Sequence, residues 1–337
     1  MKILVTGAGG RLGSVLVPAL VEAGHDINAL DAQASPGLGA LAQLGPKVRL
    51  FRGHLEHYAE VEPAVAGVDA VIHLGAAMGS FTDWQFYSSN VTGTFNVLQA
   101  VRRVAPNITR FAFPSSDAVY EKYIPGGLPA PIDPERTPRD GKGLYAMTKI
   151  LGEELCWSYM RTYGLPCTVF RFPIARAASE LPDFYEFWLD GLLRHKRGQR
   201  RADPNSGAAV EVLERLQKEA GGEKRLIVAR DANGRPYQRV YADARDVAQA
   251  LILSLENDAA TGRSFPVAGK DQPANSEQIV PYLSKKLGVP YVDANLPGIP
   301  TFYDVDTTNT REVLGYTPRF DVFHMIDEAI GSARELG

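Results

Sequence analysis

Short apolar runs alternate with helical spacings through the first half of the chain. Lys2–Thr6, Asp26–Leu30, Val48–Arg52, Ala70–Leu74, Arg110–Pro114 and Pro166–Phe170 each carry a compact apolar stretch of strand length. Between them, Leu12–Ala23, Asn90–Val104 and Leu144–Tyr163 place apolar residues at helical spacing. Strands that alternate with helices argue for strand–helix–strand units and a parallel sheet. Right-handed crossovers then wind that sheet outward in two directions. The expected class is α/β, with a doubly wound parallel sheet.

The rhythm changes after Arg171. Residues 179–235 are rich in charge, with a helical stretch over Ala208–Ala220 and a basic run from His195 to Arg201. That run reads as a solvated helix end, with phosphate binding as the alternative. Arg239–Ala242 and Ser264–Ala268 predict further strands, and Asp246–Glu256 a helix. The expected organisation is a dinucleotide-binding domain over 1–172, completed by about 236–262. A smaller C-terminal lobe, 173–235 and 263–337, is expected to bind the substrate.

Residues 6–13 read Thr-Gly-Ala-Gly-Gly-Arg-Leu-Gly, between the first strand and the first helix. This is the context that a dinucleotide-binding loop of the Rossmann fold requires. Gly7 permits the tight turn, Gly10 a close backbone approach to a pyrophosphate, and Gly13 close packing of the helix. The pyrophosphate lies at the positive helix N-terminus. Asp31 ends the second strand, where a carboxylate can bind the ribose hydroxyls of NAD and repel a 2′-phosphate. The expected cofactor is NAD.

Composition narrows the remaining classes. Hydrophobic residues make up 45% and charged residues 22% of 337 positions, the balance of an ordinary globular protein. The net charge of -3 gives no field that favours nucleic acid. Cys156 and Cys167 sit in apolar contexts and read as small buried residues, and no metal site is expected. No apolar stretch of about 18 residues predicts a membrane span. The chain runs straight from its first strand into the glycine turn, so the expected location is the cytoplasm.

Tyr145 and Lys149 lie one helical turn apart in Tyr-Ala-Met-Thr-Lys. An ammonium beside a phenol favours the phenolate and lowers the tyrosine pKa. The lysine can also reach a nicotinamide ribose. Ser116, in Phe-Pro-Ser-Ser-Asp-Ala-Val-Tyr after the fifth strand, can hydrogen-bond a reacting oxygen, or serve as a turn or helix cap.

With these residues in place, the chain resembles the extended short-chain dehydrogenase/reductases, the family of NAD-dependent epimerases and dehydratases. The resemblance covers nearly the whole length. It extends to Thr6–Gly13, with Arg11 and Leu12 in the cofactor loop. It also takes in His73-Leu74-Gly75-Ala76-Ala77, Asn90–Leu98, Ser115–Tyr120, Tyr145 to Glu153, and Leu314-Gly315-Tyr316-Thr317-Pro318. It implies Tyr145 as general acid/base, Lys149 as its electrostatic partner and Ser116 as the residue orienting the oxygen. It implies cofactor contacts from Leu74, Ala76, Ala77, His54 and Leu55, the histidine being a departure from the usual aspartate. Asn90 is implied in a proton relay, with a helix N-cap as the alternative.

The same resemblance bears on the reaction and the substrate. Asp117 is followed by Ala118 where dehydratases carry glutamate, so dehydration is not expected. Ile174 stands where nucleotide-sugar epimerases carry an asparagine, whereas Arg239 matches the arginine that binds a diphosphate. Substrate contacts are therefore implied for Ser116, Asp117 and Arg239. The substrate classes are a nucleotide sugar, a free sugar, a sugar acid or another polar carbonyl compound. Epimerase and dehydrogenase are both expected modes, with the lean to epimerase. A silent NAD-binding regulator is the reading from a different class. The resemblance also implies a homodimer through the helices Asn90–Val104 and Leu144–Tyr163, with Phe95, Leu98, Leu151, Leu155 and Tyr159 either on that face or in the core.

Overall fold

The structure, a computed structural model, describes residues 1–32, 35–79, 81–199 and 206–335. Its strands are β1 (Lys2–Thr6), β2 (Asp26–Asp31), β3 (Val48–Arg52), β4 (Ala70–His73), β5 (Arg110–Ser116), β6 (Cys167–Phe172), β7 (Ile174–Arg176), β8 (Leu226–Arg230), β9 (Gln238–Arg239), β10 (Tyr241–Asp243), β11 (Ser264–Pro266), β12 (Ala274–Asn275) and β13 (Tyr291–Asn295). Seven of them form one parallel sheet in the order β11-β6-β5-β4-β1-β2-β3.

Both faces of the sheet are covered, and this explains the continuous apolar runs. Alternate residues of one strand enter different cores. Ile3 and Val5 pack with Leu16, Leu20 and Leu251, whereas Leu4 packs with Val61, Val97 and Val101. Ala70 and Ile72 enter the first core and Val71 the second.

The smaller lobe has its own apolar clusters. Leu226 and Val228 of β8 pack with Ile279, Leu283 and Met325, while Ile227 and Ala229 face Leu192, Val210 and Leu213. β13 pairs in parallel with β8. The short strands β7 and β10 also pair in parallel, and β9 and β12 pair antiparallel.

Several boundaries move. Ser264–Pro266, expected in the lobe, is an edge strand of the large sheet beside β6. The large unit therefore runs past residue 262. The strand expected over 239–242 is split into β9 and β10. The helix expected from Asn90 begins at Asp83, capped by Thr82 and Gln85, and reaches Val104 through one wide π turn at Ser88–Thr92. In the basic run, Lys196 is buried and donates to the Ile299 carbonyl at 3.2 Å, and Arg197 pairs with Glu214, so these charges do not converge. Arg200 and Arg201 lie outside the described residues.

The sheet order reverses between β1 and β4, the crevice where doubly wound sheets bind ligands. A hydrogen-bond chain fixes that crevice. The Gly75 N–H donates to Thr6 Oγ1 at 3.0 Å, and Thr6 Oγ1 meets His73 Nδ1 at 2.8 Å. His73 Nε2 lies 3.0 Å from Thr94 Oγ1, which donates to the Asn90 carbonyl at 2.6 Å. Only one proton arrangement satisfies every link: Nε2 carries the hydrogen and Nδ1 accepts. Burial pushes the His73 pKa down to about 3, as does the Lys149 charge, so the ring stays neutral.

The helix Leu144–Tyr163 lies against β5 through Gly152. A Cβ there would come within 2.4 Å of Phe113 Cζ, and that ring is itself buried. Overpacking of about 1–3 kcal/mol outweighs the roughly 0.5–1 kcal/mol that alanine gains over glycine in a helix. Gly152→Ala should therefore lower the urea midpoint. Gly331→Ala, where a Cβ meets nothing within 4 Å, should raise it. Equal shifts of the same sign would contradict the packing.

Candidate active site

The glycine loop is built for close backbone approach. Gly7 has φ +65, and a Cβ on it would lie 2.8 Å from Gly75. At Gly13 a Cβ would lie 2.4 Å from the carbonyls of Gly7 and Ala8, so this glycine packs against its own loop. The helix Gly13–Glu22 that follows has no side-chain cap and no acidic residue in its first turn. The amides of Ser14, Val15 and Leu16 already donate to the carbonyls of Gly10 and Leu12, so this helix end offers an anion its positive dipole rather than a row of free N–H groups.

The Asp31 carboxylate accepts from Gly9 N (2.8 Å), Ala32 N (2.7 Å) and Ser35 Oγ (3.0 Å), which ties the loop to the end of β2. A glycine cradle, a helix N-terminus without acidic residues and a carboxylate at the end of β2 fit NAD and disfavour a 2′-phosphate.

The other residues expected at this end divide. Leu55 wedges under the β4 exit, its Cδ1 within 2.7 Å of where a Gly75 Cβ would stand, and its carbonyl accepts from Asn96 at 2.9 Å. Leu12 and Leu74 pack partly into the first core, and Ala76 is exposed. The His54 ring is exposed and tilted on His57, 5.7 Å away. The Arg11 guanidinium is engaged by a carboxylate. Its Nε donates to both carboxylate oxygens of Glu180 at 2.6 Å, joining the loop to the smaller lobe.

Asn90 is neither an N-cap nor free for a relay. Its amide oxygen accepts from Ala77 N at 2.6 Å, and Nδ2 donates to the Ala77 carbonyl (3.1 Å) and to Thr148 Oγ1 (3.0 Å). It is a buried cross-link between the β4 exit and the helix carrying Tyr145.

Tyr145, Ser116 and Lys149 come together at the end of β5. Burial pushes the Tyr145 hydroxyl up to about 12; a hydrogen bond to Ser116 works against this, and the Asp117 charge adds to it. The sequence expectation was the reverse, a pKa lowered by Lys149. The reason is geometric. Lys149 Nζ lies 5.9 Å from the Tyr145 ring centroid and donates to the Pro114 carbonyl at 2.8 Å. Nζ sits 5.3 Å from the Phe113 ring centroid, and burial pushes its own pKa down to about 8, only partly offset by Glu153 and Cys156. Ser116 Oγ accepts from Ala118 N at 3.1 Å, so it caps the turn Asp117–Val119 while also meeting the tyrosine.

The helix Leu144–Tyr163 is clamped behind these groups. Glu153, fully buried, accepts from Ser115 (2.6 Å), from Arg171 (3.0 and 2.8 Å) and from Arg139 (3.0 Å).

Toward the smaller lobe lies a second polar group. Asp117 is buried, pairs with buried Lys122 and accepts from Tyr303 Oη at 2.9 Å. Arg239 is buried and bound through Nε and Nη2 to the two carboxylate oxygens of Glu186. Lys122, Glu186 and Tyr303 were not read from the sequence. Tyr303 is 186 residues from Asp117, and no local motif announces such a contact. An aromatic rim borders the site on the β4 side. Phe86 stands edge-on to Tyr145 at 6.4 Å, with exposed Phe81, Trp84 and Tyr87 beside it. A cleft of about 600 Å³, lined by Asp133, Asp304 and Arg311 among others, contains none of these groups.

Comparison with known proteins agrees with this geometry. The description "NAD dependent epimerase/dehydratase family" matches residues 3–183. A short-chain dehydrogenase/reductase superfamily protein from Agrobacterium tumefaciens, solved with bound NAD, is 30% identical, with 100% of this chain and 98% of that chain covered and a TM-score of 0.84. A UDP-glucose 4-epimerase of Lactobacillus helveticus is 28% identical over 99% of this chain and 96% of its own. A 2-alkyl-3-oxoalkanoate reductase of Stenotrophomonas maltophilia is 39% identical, over 46% of this chain and 45% of its own.

The lowered Lys149 pKa makes a prediction about stability. Below about pH 8 the ammonium is charged in folded and unfolded chains alike, and its burial costs the folded state in full. Between there and the ordinary value of 10.5 the folded chain loses the proton first, and the cost fades. Lys149→Met should thus stabilise the cofactor-free protein by on the order of 2 kcal/mol below pH 8, and the gain should shrink toward pH 10.5. A pH-independent difference in denaturant titrations would contradict burial as the cause.

Proposed function

We propose, from the premise that this chain belongs to the NAD dependent epimerase/dehydratase family, that it moves a hydride at a secondary alcohol or ketone of a sugar-type substrate as an epimerase. The observation that carries the reading is the joining of Tyr145, Ser116 and Lys149 at the sheet end that also presents the glycine cradle. The protein is an NAD-dependent enzyme of the extended short-chain dehydrogenase/reductase type. NAD supplies the hydride acceptor and donor when bound; Gly7, Gly10, Gly13 and Asp31 would hold it.

Tyr145, once deprotonated, takes the hydroxyl proton as the substrate is oxidised and returns it on reduction; bound NAD and Lys149 would supply the positive charge needed to offset the burial that raises its pKa. Ser116 holds the reacting oxygen by a hydrogen bond. Lys149, kept in place by the Pro114 carbonyl, supplies positive charge and a ribose contact. Asn90 acts as a positioning residue through Ala77 and Thr148. The lobe formed by 173–235 and the segment after β11 covers the substrate, with Asp117 as a contact. The epimerase mode is supported by the full-length similarity to UDP-glucose 4-epimerases of Lactobacillus helveticus and Corynebacterium glutamicum.

A dehydrogenase mode is the second reading. The exposed aromatic rim beside Tyr145 and the similarity to a reductase over 46% of the chain favour it. We also extend the reading to a homodimer in the cytoplasm, where the buried thiols Cys156 and Cys167 remain unpaired. Phe95, Met147 and Leu151 are exposed on the helices Gly93–Val104 and Leu144–Tyr163 and suit a two-fold contact. Leu98 and Tyr159, named with them from the sequence, are core residues, and Leu155 packs against that core. Among the described residues no helix is long and apolar enough to cross a membrane.

The NAD-loaded enzyme should be incubated with a panel of sugars and nucleotide sugars. Isomerised product without net NADH absorbance at 340 nm is the expected result. Stoichiometric NADH would replace epimerase by dehydrogenase, and neither signal with any compound would overturn the redox reading.

A further inference from the structure

The arginine expected to grip a diphosphate is already occupied. Arg239 Nε and Nη2 form a fork on the two carboxylate oxygens of Glu186, and the arginine is 4% and the glutamate side chain 10% exposed. Burial works against the guanidinium charge, but Glu186 together with Tyr123, Tyr185 and Tyr303 outweighs it and holds the Arg239 pKa well above its ordinary value. The pair is enclosed by rings. Tyr123 and Phe184 lie 5.8 and 5.9 Å from the guanidinium carbon, and Tyr185 Oη donates to Glu186 at 3.3 Å. His195, tilted 4.6 Å from Tyr185, is pushed down to about 4 by burial and adds no charge at neutral pH.

This group borders the reaction site. The Tyr303 N–H donates to the Gln238 carbonyl at 3.4 Å, beside Arg239, and Tyr303 Oη reaches Asp117, which follows Ser116. Lys122 is likewise matched by Asp117. Each of these two cations thus has its own carboxylate. A diphosphate entering here would have to displace Glu186, leaving a buried carboxylate unpaired, or lie against it. Carboxylates and phenols instead offer acceptors and donors to hydroxyl groups.

We propose that Glu186 is a specificity-determining residue: by filling the Arg239 fork it closes the diphosphate subsite, and the substrate is a polyhydroxylated sugar that carries no diphosphate. This deepens, and rests on, the hydride-transfer reading of the Tyr145 site. Glu186→Gln keeps the shape, removes the charge and reopens the fork to an anion.

The test is calorimetric binding of UDP to the NAD-loaded enzyme. The wild type should bind UDP with Kd above about 1 mM, and Glu186→Gln about tenfold or more tightly than that. The gain should vanish in Glu186→Gln/Arg239→Met. A micromolar Kd in the wild type would overturn the proposal, as would no gain in a Glu186→Gln protein that retains wild-type NAD affinity. If Glu186→Gln does not fold, the wild-type Kd decides alone. These measurements need no turnover. Failure of the redox reading shows itself separately, as absence of any NADH or isomer signal, and turnover of UDP-glucose but of no free sugar would sink the Glu186 proposal alone.

Discussion

The site depends on the buried hydrogen-bond chain that runs from Gly75 through Thr6, His73 and Thr94 to Asn90. A neutral histidine accepts on one side and donates on the other, and so links the two threonine hydroxyls. It holds the ends of β1 and β4 together at the sheet's switch point, so the glycine loop and the β4 exit keep a fixed separation. Asn90 then passes that position to Thr148 on the helix that carries Tyr145 and Lys149. The glycine loop and Tyr145 are thereby held in one frame, the condition under which positioning contributes to rate.

Electrostatics at the reacting end follow from burial. The protein alone raises Tyr145 and lowers Lys149, so at neutral pH the phenol is protonated while the ammonium keeps its charge at a cost. Such a site holds a proton on the phenol until something else changes the local charge. Behind it, Glu153 is over-paired by Arg171, Arg139 and Ser115, which confines charge imbalance to the front of the helix.

The sheet was legible because each of its core strands buries both faces and therefore writes an unbroken apolar run. Gly7, Gly13 and Asp31 were legible because backbone approach and a strand-end carboxylate leave local signatures. β11 was not, since a three-residue edge strand carries too little pattern to reveal which sheet it joins. The start of the helix at Asp83 was hidden by a π turn that breaks the 3.6 period. Arg11 was read as a cofactor contact from its motif, but its partner Glu180 lies 169 residues away. The same distance problem concealed Glu186 and Tyr303. Tyr145, Lys149 and Ser116 could be named, yet the direction of the tyrosine shift could not, because desolvation is a property of the packed site.

The central claim is that Tyr145 moves the proton that accompanies hydride transfer. The most direct test is a single-turnover measurement of 340 nm absorbance, mixing the NAD-loaded enzyme with a substrate it oxidises. Tyr145→Phe removes one oxygen and should leave NAD affinity near the wild-type value while slowing the hydride step by roughly 10²–10⁴. A Tyr145→Phe rate within a few fold of wild type would contradict the account.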